Sequence, residues 1–260
     1  MEIKTEQFTA LAKKELQNER SRRFLKKIPH ENLVKRDAAM SNLPDPAAAM
    51  ACGAAMRAEA LARLPELLEE FEKKAKANGM KVVWARDDKE VNEFIKNLAK
   101  EKGIQYVTKG KSMVTEETAL NDHLEKNGIE VWETDLGEFI AQQLHRPPFH
   151  IVGPAINVPV EEVRDLFIEK IGLKEPTLDP VRLGYAARLF LRDKFHHVQM
   201  GITGVNIAVA ETGTIINVEN EGNIRFTKSS PPVQVSVMSL EKVIHTMKDA
   251  LHLLRLMCRN

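Results

Sequence analysis

Cysteine is scarce in this sequence: only Cys52 and Cys258 are present, and no CxxC pair occurs. An iron–sulfur cluster requires about four thiolates, and a structural zinc site requires about four Cys or His ligands. The sequence therefore excludes a cluster of its own and shows no ligand spacing for zinc. Two distant cysteines also exclude a disulfide framework. We expect no metal or cluster bound within this chain.

Long apolar runs are also missing. No stretch approaches the roughly 18 apolar residues of a membrane-spanning helix, and the charged N-terminus lacks the apolar segment of a signal peptide. Lys and Arg (38) nearly balance Asp and Glu (37), so the net charge of +1 provides no basic surface for nucleic acid. These absences predict a cytoplasmic protein with no transmembrane segment and no nucleic-acid partner.

The first 77 residues have the pattern of a helical N-terminal extension. The prolines of SNLPDP, residues 41–46, should break the helix, because a proline disfavours helical backbone at the residue before it. Pro65 should kink or divide a second helical stretch. Asn78 and Gly79 then form a helix-ending signal. We predict an extension over residues 1–77 and an α/β domain over residues 78–260.

From residue 80 onward, apolar runs of strand length alternate with amphipathic helical stretches. The predicted strands are Lys81–Ala85, Ile104–Gly110, Ile129–Thr134 and His150–Ala155. This alternation predicts an α/β fold with a mostly parallel sheet and helices on its faces.

Residues 201–238 predict short strands with no room for helices between them. Residues 205–210 and 214–218 flank Glu211–Gly213, which is typical of a hairpin turn. Residues 223–226 and 233–238 would continue the antiparallel pairing. Leu240 begins a last amphipathic stretch, which predicts a helix that closes the domain.

The first candidate site is the segment TKGKSMVTEE, where a strand ends, a turn follows and a helix starts near Ser112. A helix N-terminus attracts anions, and Lys109 and Lys111 would strengthen that attraction, with Glu116 close by. The segment fits a pocket for a carboxylate or phosphate. It also fits a hydroxyl N-cap beside two solvated lysines.

The second candidate is ETDLGEF, where acidic residues follow a strand at the edge where α/β sheets bind ligands. Asp135 and Glu138 could contribute to a site. Asp135 could instead cap the next helix, with Glu138 as the third residue of a capping box.

The third candidate is a dense set of polar residues in otherwise strand-forming sequence. Turn formation alone does not account for so many polar groups, and an Asn between apolar positions requires hydrogen-bond partners. A ligand-binding edge and a structural hairpin both remain open. The residues are Asn206, Glu211, Thr212, Gly213, Glu219, Asn220, Glu221 and Asn223.

The segments KSMVTEE, ETDLGE, GITGVNIAVAETGT and VENEGN, in this order and spacing, resemble the LUD domain family. The resemblance covers residues 61–256 and is greatest to the N-terminal domain of the iron–sulfur protein in bacterial lactate-utilisation systems. It implies a Rossmann-like fold similar to that of sugar-phosphate isomerases and CoA-transferases. It also implies a role in the oxidation of L-lactate to pyruvate, as one of several subunits.

In such relatives a region with cysteines for two [4Fe–4S] clusters follows the LUD domain, so we expect clusters only there or in a partner. The chain is then either a fragment or a stand-alone LUD protein. The resemblance suggests a non-redox component that binds a small carboxylate or docks a cluster-bearing partner, beside other lactate-utilisation subunits. The alternative is an enzyme that handles acyl-CoA or phosphosugar substrates, and autonomous activity stays undecided.

The candidate segments lead to one geometric hypothesis. Lys109, Lys111 and Ser112 would face Glu211–Gly213 and the ENEGN segment, residues 219–223, across one cleft. The cleft would hold an anion while Glu211 acts as a base or nucleophile. The rival hypothesis is that these segments cap separate structural elements.

Overall fold

The computed structural model of the chain describes residues 5–150 and 153–259. Contacts between residues divide the chain into two compact units. Unit 1 comprises Met1–Ser21, Ala85–Gly204 and Glu219–Val237. Unit 2 comprises Arg22–Trp84, Val205–Val218 and Met238–Asn260.

Helices dominate the described chain. The α-helices are α1 (Phe8–Glu15), α2 (Glu19–Met40), α3 (Pro46–Ala62), α4 (Leu64–Ala77), α5 (Asp88–Glu101), α6 (Met113–Glu117), α7 (Leu120–Glu125), α8 (Leu136–Gln143), α9 (Val160–Ile171), α10 (Pro180–His197), α11 (Asn223–Ser229) and α12 (Met247–Met257). The strands are β1 (Tyr106–Lys109), β2 (Glu130–Glu133), β3 (Met200–Thr203), β4 (Ile207–Val209), β5 (Thr214–Ile216), β6 (Val233–Ser236) and β7 (Val243–Ile244). Short 3-10 helices cover Thr5–Gln7 and Leu240–Lys242.

A parallel sheet of order β2-β1-β3-β6 is the framework of unit 1. Val107, Met200 and Ile202 are fully buried in it, as expected for parallel strands that are covered on both faces. One apolar cluster joins these strands to α5 and α7, and a second cluster joins α8, α9 and α10 around Phe139 and Phe167. The predicted α/β class with a mostly parallel sheet is confirmed.

Several helix boundaries follow the local signals in the sequence. The side chain of Asp87 accepts a hydrogen bond from the backbone of Glu90 and caps α5. Pro65 lies in the first turn of α4, so the predicted division of the N-terminal helix is present. Ala119 has a left-handed backbone (φ 50°) and separates α6 from α7.

Unit 2 contains a smaller sheet of order β5-β4-β7. β4 and β5 pair antiparallel around the turn at residues 210–213, so the predicted hairpin is confirmed. Leu67, Leu68 and Phe71 of α4 pack with the buried strand β4 in the core of this unit. That an independent α/β domain begins after residue 77 stays a prediction.

Two predicted strands differ from the structure. Lys81–Ala85 has no strand pairing, and Val83 and Trp84 are exposed, because no neighbouring strand covers this run. The predicted strand His150–Ala155 falls partly on residues 151–152, which lie outside the described residues. Its described part forms a bend at His150 and a turn that begins at Pro154.

The C-terminal strand predictions were partly wrong. Residues 223–226 belong to helix α11, whose buried residues Ile224 and Thr227 are three apart, as on one face of a helix. The strand predicted at 233–238 exists as β6, but it pairs parallel with β3 and does not extend the hairpin. The last helix begins only at Met247, where Thr246 and Asp249 form a capping box.

Within the described ranges, no helix is both long enough and apolar enough to cross a membrane.

Candidate functional site

The candidate site of unit 1 lies where the strands β1 and β2 end. Parallel strands present their carboxyl ends at one edge of a sheet, and α/β proteins commonly bind ligands at this edge. In the register of the sheet, Lys109 at the end of β1 is aligned with Glu133 at the end of β2. The loops that lead into α6 and α8 begin directly after these two residues.

A buried cluster of charged side chains occupies this edge. Lys109 is completely buried, and its Nζ lies 2.8 Å from Oε1 of Glu133 and 2.6 Å from Oε1 of Glu116. It also donates to Oγ1 of Thr115 at 3.1 Å. Burial alone would lower the pKa of Lys109, but the carboxylates of Glu133 and Glu116 outweigh it and raise the pKa. Lys109 therefore carries its charge at neutral pH.

Glu138 completes the cluster as a buried carboxyl group against Glu133. Burial, followed by the charge of Glu133, raises the pKa of Glu138 to about 9. Glu138 therefore holds a proton at neutral pH and donates it in a hydrogen bond to Glu133. One lysine, two carboxylates and one carboxylic acid share this buried space.

Unsatisfied acceptors surround the same carboxyl pair. With both carboxyl groups counted as ionised, Oε2 of Glu133, Oε2 of Glu138 and Oδ1 of Asn121 are buried without a hydrogen-bond partner among the described residues. Asn121 donates its amide to Oε1 of Glu133 at 2.6 Å. A buried oxygen without a partner is costly, so a proton, a water molecule or a polar ligand group would stabilise this cluster.

A second set of charged groups forms the rim of the site. Nζ of Lys111 lies 3.8 Å from Oδ2 of Asp135. Much of Glu221 is exposed, but partial burial of its carboxyl group and the charge of Asp135 raise its pKa. The backbone N–H of Leu136 and the charge of Lys111 act on Glu221 in the opposite direction. The structure thus brings together residues from all three candidate segments.

Local capping accounts for several of the other predicted site residues. Ser112 accepts a hydrogen bond from the backbone of Thr115 and caps α6, a helix of only five residues. Asp135 Oδ1 accepts from the backbone N–H groups of Gly137 and Glu138 and caps α8. The predicted caps at Ser112 and Asp135 are therefore present. The lysines beside Ser112 are not both solvated, because Lys109 is buried, and the side chain of Glu138 lies in the buried cluster with Glu133.

The ENEGN segment, residues 219–223, has mixed roles. Glu219 accepts hydrogen bonds from the backbone and side chain of Arg225, so it fixes the start of α11. Asn223 donates weakly to Oγ1 of Thr134 at 3.5 Å, and Thr134 binds the backbone oxygen of Lys109 at 2.9 Å. Asn220 is exposed.

The remaining predicted site residues belong to unit 2. Oδ1 of Asn206 accepts from the backbone of Val218 at 2.8 Å, so this amide ties the ends of the hairpin together. Oε2 of Glu211 accepts from the backbone N–H of Met247 at 3.0 Å, at the start of α12. The hypothesis of one cleft with Lys109 and Lys111 stays a prediction.

The hairpin turn itself packs closely on α4. Gly213 has φ 68°, and a Cβ atom there would lie 2.4 Å from the backbone N of Ala75. The backbone oxygen of Thr212 accepts from the side chain of Asn78 at 2.8 Å. These contacts give Thr212 and Gly213 a structural role in unit 2.

The sequence interpretation did not single out Glu133, Thr134 or Asn121, although Glu133 and Thr134 lie within the candidate segment ETDLGEF. Glu133 sits at the end of a strand, and its importance arises from its alignment with Lys109, which only the pairing of two distant segments reveals. One feature of the sequence does point to this pair: Lys109 and Glu133 carry opposite charges, and each ends an apolar strand.

The chain does not fit an iron–sulfur cluster. Cys52 and Cys258 are both free and exposed, whereas a cluster requires about four thiolates. Within residues 5–150 and 153–259, no group of three or more His, Cys, Asp or Glu side chains is arranged to hold a metal ion.

The fold and the site together define an α/β protein with a charged candidate site at the carboxyl ends of parallel strands. Residues 68–260 match the LUD domain, and the chain belongs to the LUD domain family.

Curated relatives share one name. Lactate utilization protein B of Bacillus pumilus (strain SAFR-032) is 39% identical over 209 residues, and that of Bacillus cytotoxicus (strain DSM 22905 / CIP 110041 / 391-98 / NVH 391-98) is 40% identical over 208 residues. Each match covers 80% of this chain but only 44% of the relative, so the chain spans less than half the length of these proteins. No solved structure matches the chain.

Proposed function

We propose that this chain is the LUD-domain component of a lactate-utilisation system. It acts as a non-redox part of a complex that oxidises L-lactate to pyruvate in the cytoplasm. Electron transport and the [4Fe–4S] clusters belong to other subunits, or to a C-terminal region such as the longer relatives have room for. The chain therefore works with other lactate-utilisation subunits and has no autonomous oxidoreductase activity.

The observation that carries this proposal is the similarity to proteins named Lactate utilization protein B, at 39% identity over 80% of the chain. The buried cluster around Lys109 and the rim around Lys111 both lie within residues 68–260, the region that matches the family. The site is therefore the first place to look for a ligand.

A small carboxylate suits the rim because the rim already holds a carboxylate of the chain itself. The carboxyl group of Glu221 interacts with the N–H of Leu136 at the start of α8 and with the charge of Lys111. The negative charge of Asp135 nearby disfavours the ionised form of Glu221. We propose that the carboxylate of a 2-hydroxy acid displaces Glu221 and takes over its contacts with Lys111 and Leu136.

Binding of L-lactate to the purified chain, followed by NMR, tests this exchange. Lys111→Ala should weaken binding about 10-fold or more, the usual effect of losing a charged hydrogen bond. Glu221→Gln should strengthen binding several-fold, because it removes the internal competitor. Lys102→Ala, at an exposed position after α5, is the matched control. Unchanged affinity in both site variants would exclude the exchange.

Co-expression with the other lactate-utilisation subunits distinguishes ligand binding from partner docking. If the rim binds the ligand, Lys111→Ala abolishes lactate oxidation while the subunits still purify together. If the rim docks a cluster-bearing partner, the same variant is lost from the purified complex. Full lactate oxidation by the other subunits without this chain would refute the proposed function altogether.

A further inference from the structure

Helix α10 of unit 1 is apolar on two opposite faces. Its buried face carries Leu183, Ala187 and Leu191, which pack in the cluster around α8 and α9. On the opposite face, Val181, Tyr185 and Leu189 are 78%, 59% and 49% exposed. A surface helix needs only one apolar face to attach to its own core. The second face therefore requires a separate explanation.

The exposed face of α10 forms a continuous stripe. We call this stripe the α10 stripe; it consists of Val181, Tyr185, Arg188, Leu189 and Arg192. These residues are spaced by four, three, one and three positions, which places them on one side of the helix over about 16 Å. Both charged members are arginines, and Tyr and Arg are enriched at the centres of protein interfaces.

Helix α9, which packs in the same cluster as α10, exposes the complementary pattern. The α9 stripe consists of Glu161, Asp165, Ile168 and Glu169, which share one side of the helix and are all exposed. Its charged members are all acidic, and Ile168 lies between them with 41% of its surface exposed. Asp165 and Glu169 also pair with Arg164 and Lys170 of the same helix, contacts that an interface would have to share or replace. The two stripes therefore match in charge and in spacing, and each contains an apolar contact point.

We propose that α9 and α10 form an interface between two copies of this chain, in which the α10 stripe of one copy packs on the α9 stripe of the other. A two-fold arrangement makes this contact twice, because each copy supplies one basic and one acidic stripe. Apolar contacts of Tyr185, Leu189 and Ile168 stabilise the centre, and the arginines and carboxylates fix the register.

The oligomeric state of the 260-residue chain, measured by sedimentation and light scattering under reducing conditions, tests the interface. We expect a dimer that becomes monomeric on Tyr185→Glu combined with Leu189→Glu. Leu251→Glu on α12 is the matched control, since Leu251 is similarly exposed and lies in unit 2. A monomeric wild-type chain at micromolar concentration, or a dimer that survives the stripe variant with its circular dichroism unchanged, would overturn the proposal.

A charge exchange provides the second test. One variant carries Arg188→Glu and Arg192→Glu, and the other carries Asp165→Lys and Glu169→Lys. Each variant alone places like charges at both contacts and should be monomeric. A mixture of the two should form a mixed dimer, because opposite charges then meet at both contacts. A mixture that stays monomeric, or variants that each dimerise as tightly as the wild type, would also overturn the proposal.

Discussion

Lys109 and Glu133 are adjacent because two parallel strands end at the same level, and the buried pair is satisfied only in part. The positive charge of Lys109 partly offsets the negative charges of Glu133 and Glu116, and Glu138 stays neutral because it keeps its proton. A third buried carboxylate would leave the cluster with a net charge of −2. The protonation state of Glu138 is therefore coupled to the stability of unit 1.

Glu138→Gln should stabilise the protein at alkaline pH. The pKa of Glu138 rises from 4.5 to about 9 on folding, so its stabilising contribution is complete below pH 4.5 and is lost as the pH rises through 9. The loss is at most about 1.4 kcal/mol per pH unit between these values. Glutamine keeps a donor for Glu133 at every pH. The difference in melting temperature between variant and wild type should therefore grow from pH 5 to pH 9.

Glu117→Gln is the control for this titration, because Glu117 is exposed on α6. Its melting temperature should follow the wild-type curve. A Glu138→Gln protein whose difference from wild type is independent of pH would show that Glu138 is ionised throughout.

Lys109→Met should destabilise the protein by about 3–5 kcal/mol, the usual cost of leaving buried carboxylates without their cation. Lys111→Met, two residues along the same loop, should cost less than about 1 kcal/mol because its contact with Asp135 is partly exposed. Chemical denaturation of both variants at neutral pH measures the contrast, and equal losses would contradict it.

The residues of the site were predictable only where local sequence defines them. Lys109 ends a strand, Lys111 and Asp135 come shortly after one, and the position of strand ends is a local signal. The cap positions of Ser112 and Asp135 were predicted for the same reason. Glu133 acquires its role from the register of β1 and β2, a contact between residues 24 positions apart that no local pattern encodes.

At the scale of elements, β3 and α11 illustrate how close packing restricts sequence. A Cβ atom on Gly201 of β3 would lie 1.8 Å from the backbone oxygen of Thr227 on α11. Backbone atoms cannot move aside as a flexible side chain can. Glycine at this position is therefore required for α11 to cover the sheet.

Gly201→Ala should destabilise the protein by about 2 kcal/mol or more, because the added methyl group forces α11 away from β3. Gly184→Ala on α10 should do the reverse and add about 0.5–1 kcal/mol of stability, since alanine favours the helix. Apart from Gly184 itself, its chain neighbours and the nearby backbone of α10, no described atom lies within 4 Å of a Cβ placed on Gly184. Urea unfolding of the two variants provides the comparison, and a stable Gly201→Ala protein would contradict the packing argument.

Helix breaks and caps were easier to predict than strand pairing for a physical reason. A helix satisfies its hydrogen bonds within one segment, and its ends carry local signals such as Pro65 and Asp87. A strand exists only if another strand pairs with it. Lys81–Ala85 has strand composition but no partner, and residues 223–226 follow the glycine-capped start of α11 instead.

At the scale of the whole molecule, the family assignment and the cysteine content bear on which chain or region would hold an iron–sulfur cluster. The longer relatives have more than half of their length outside the match with this chain. Residues 1–260 contain two cysteines, and both are exposed and free in unit 2. A [4Fe–4S] cluster would therefore need thiolates from another chain or another region.

We predict that the purified 260-residue chain is colourless and does not form a cluster when it is reconstituted anaerobically with iron and sulfide. Two thiolates cannot replace the roughly four that hold a cluster, and exposed thiols bind iron only loosely. The chain alone should therefore not reduce an artificial electron acceptor with L-lactate. Iron analysis after desalting should give far less than the roughly four iron atoms per chain of a complete cluster, and Cys52→Ala combined with Cys258→Ala should not change the absorption spectrum. A stoichiometric cluster that disappears in this double variant would show that two copies share their thiolates, and it would refute a non-redox role for the chain.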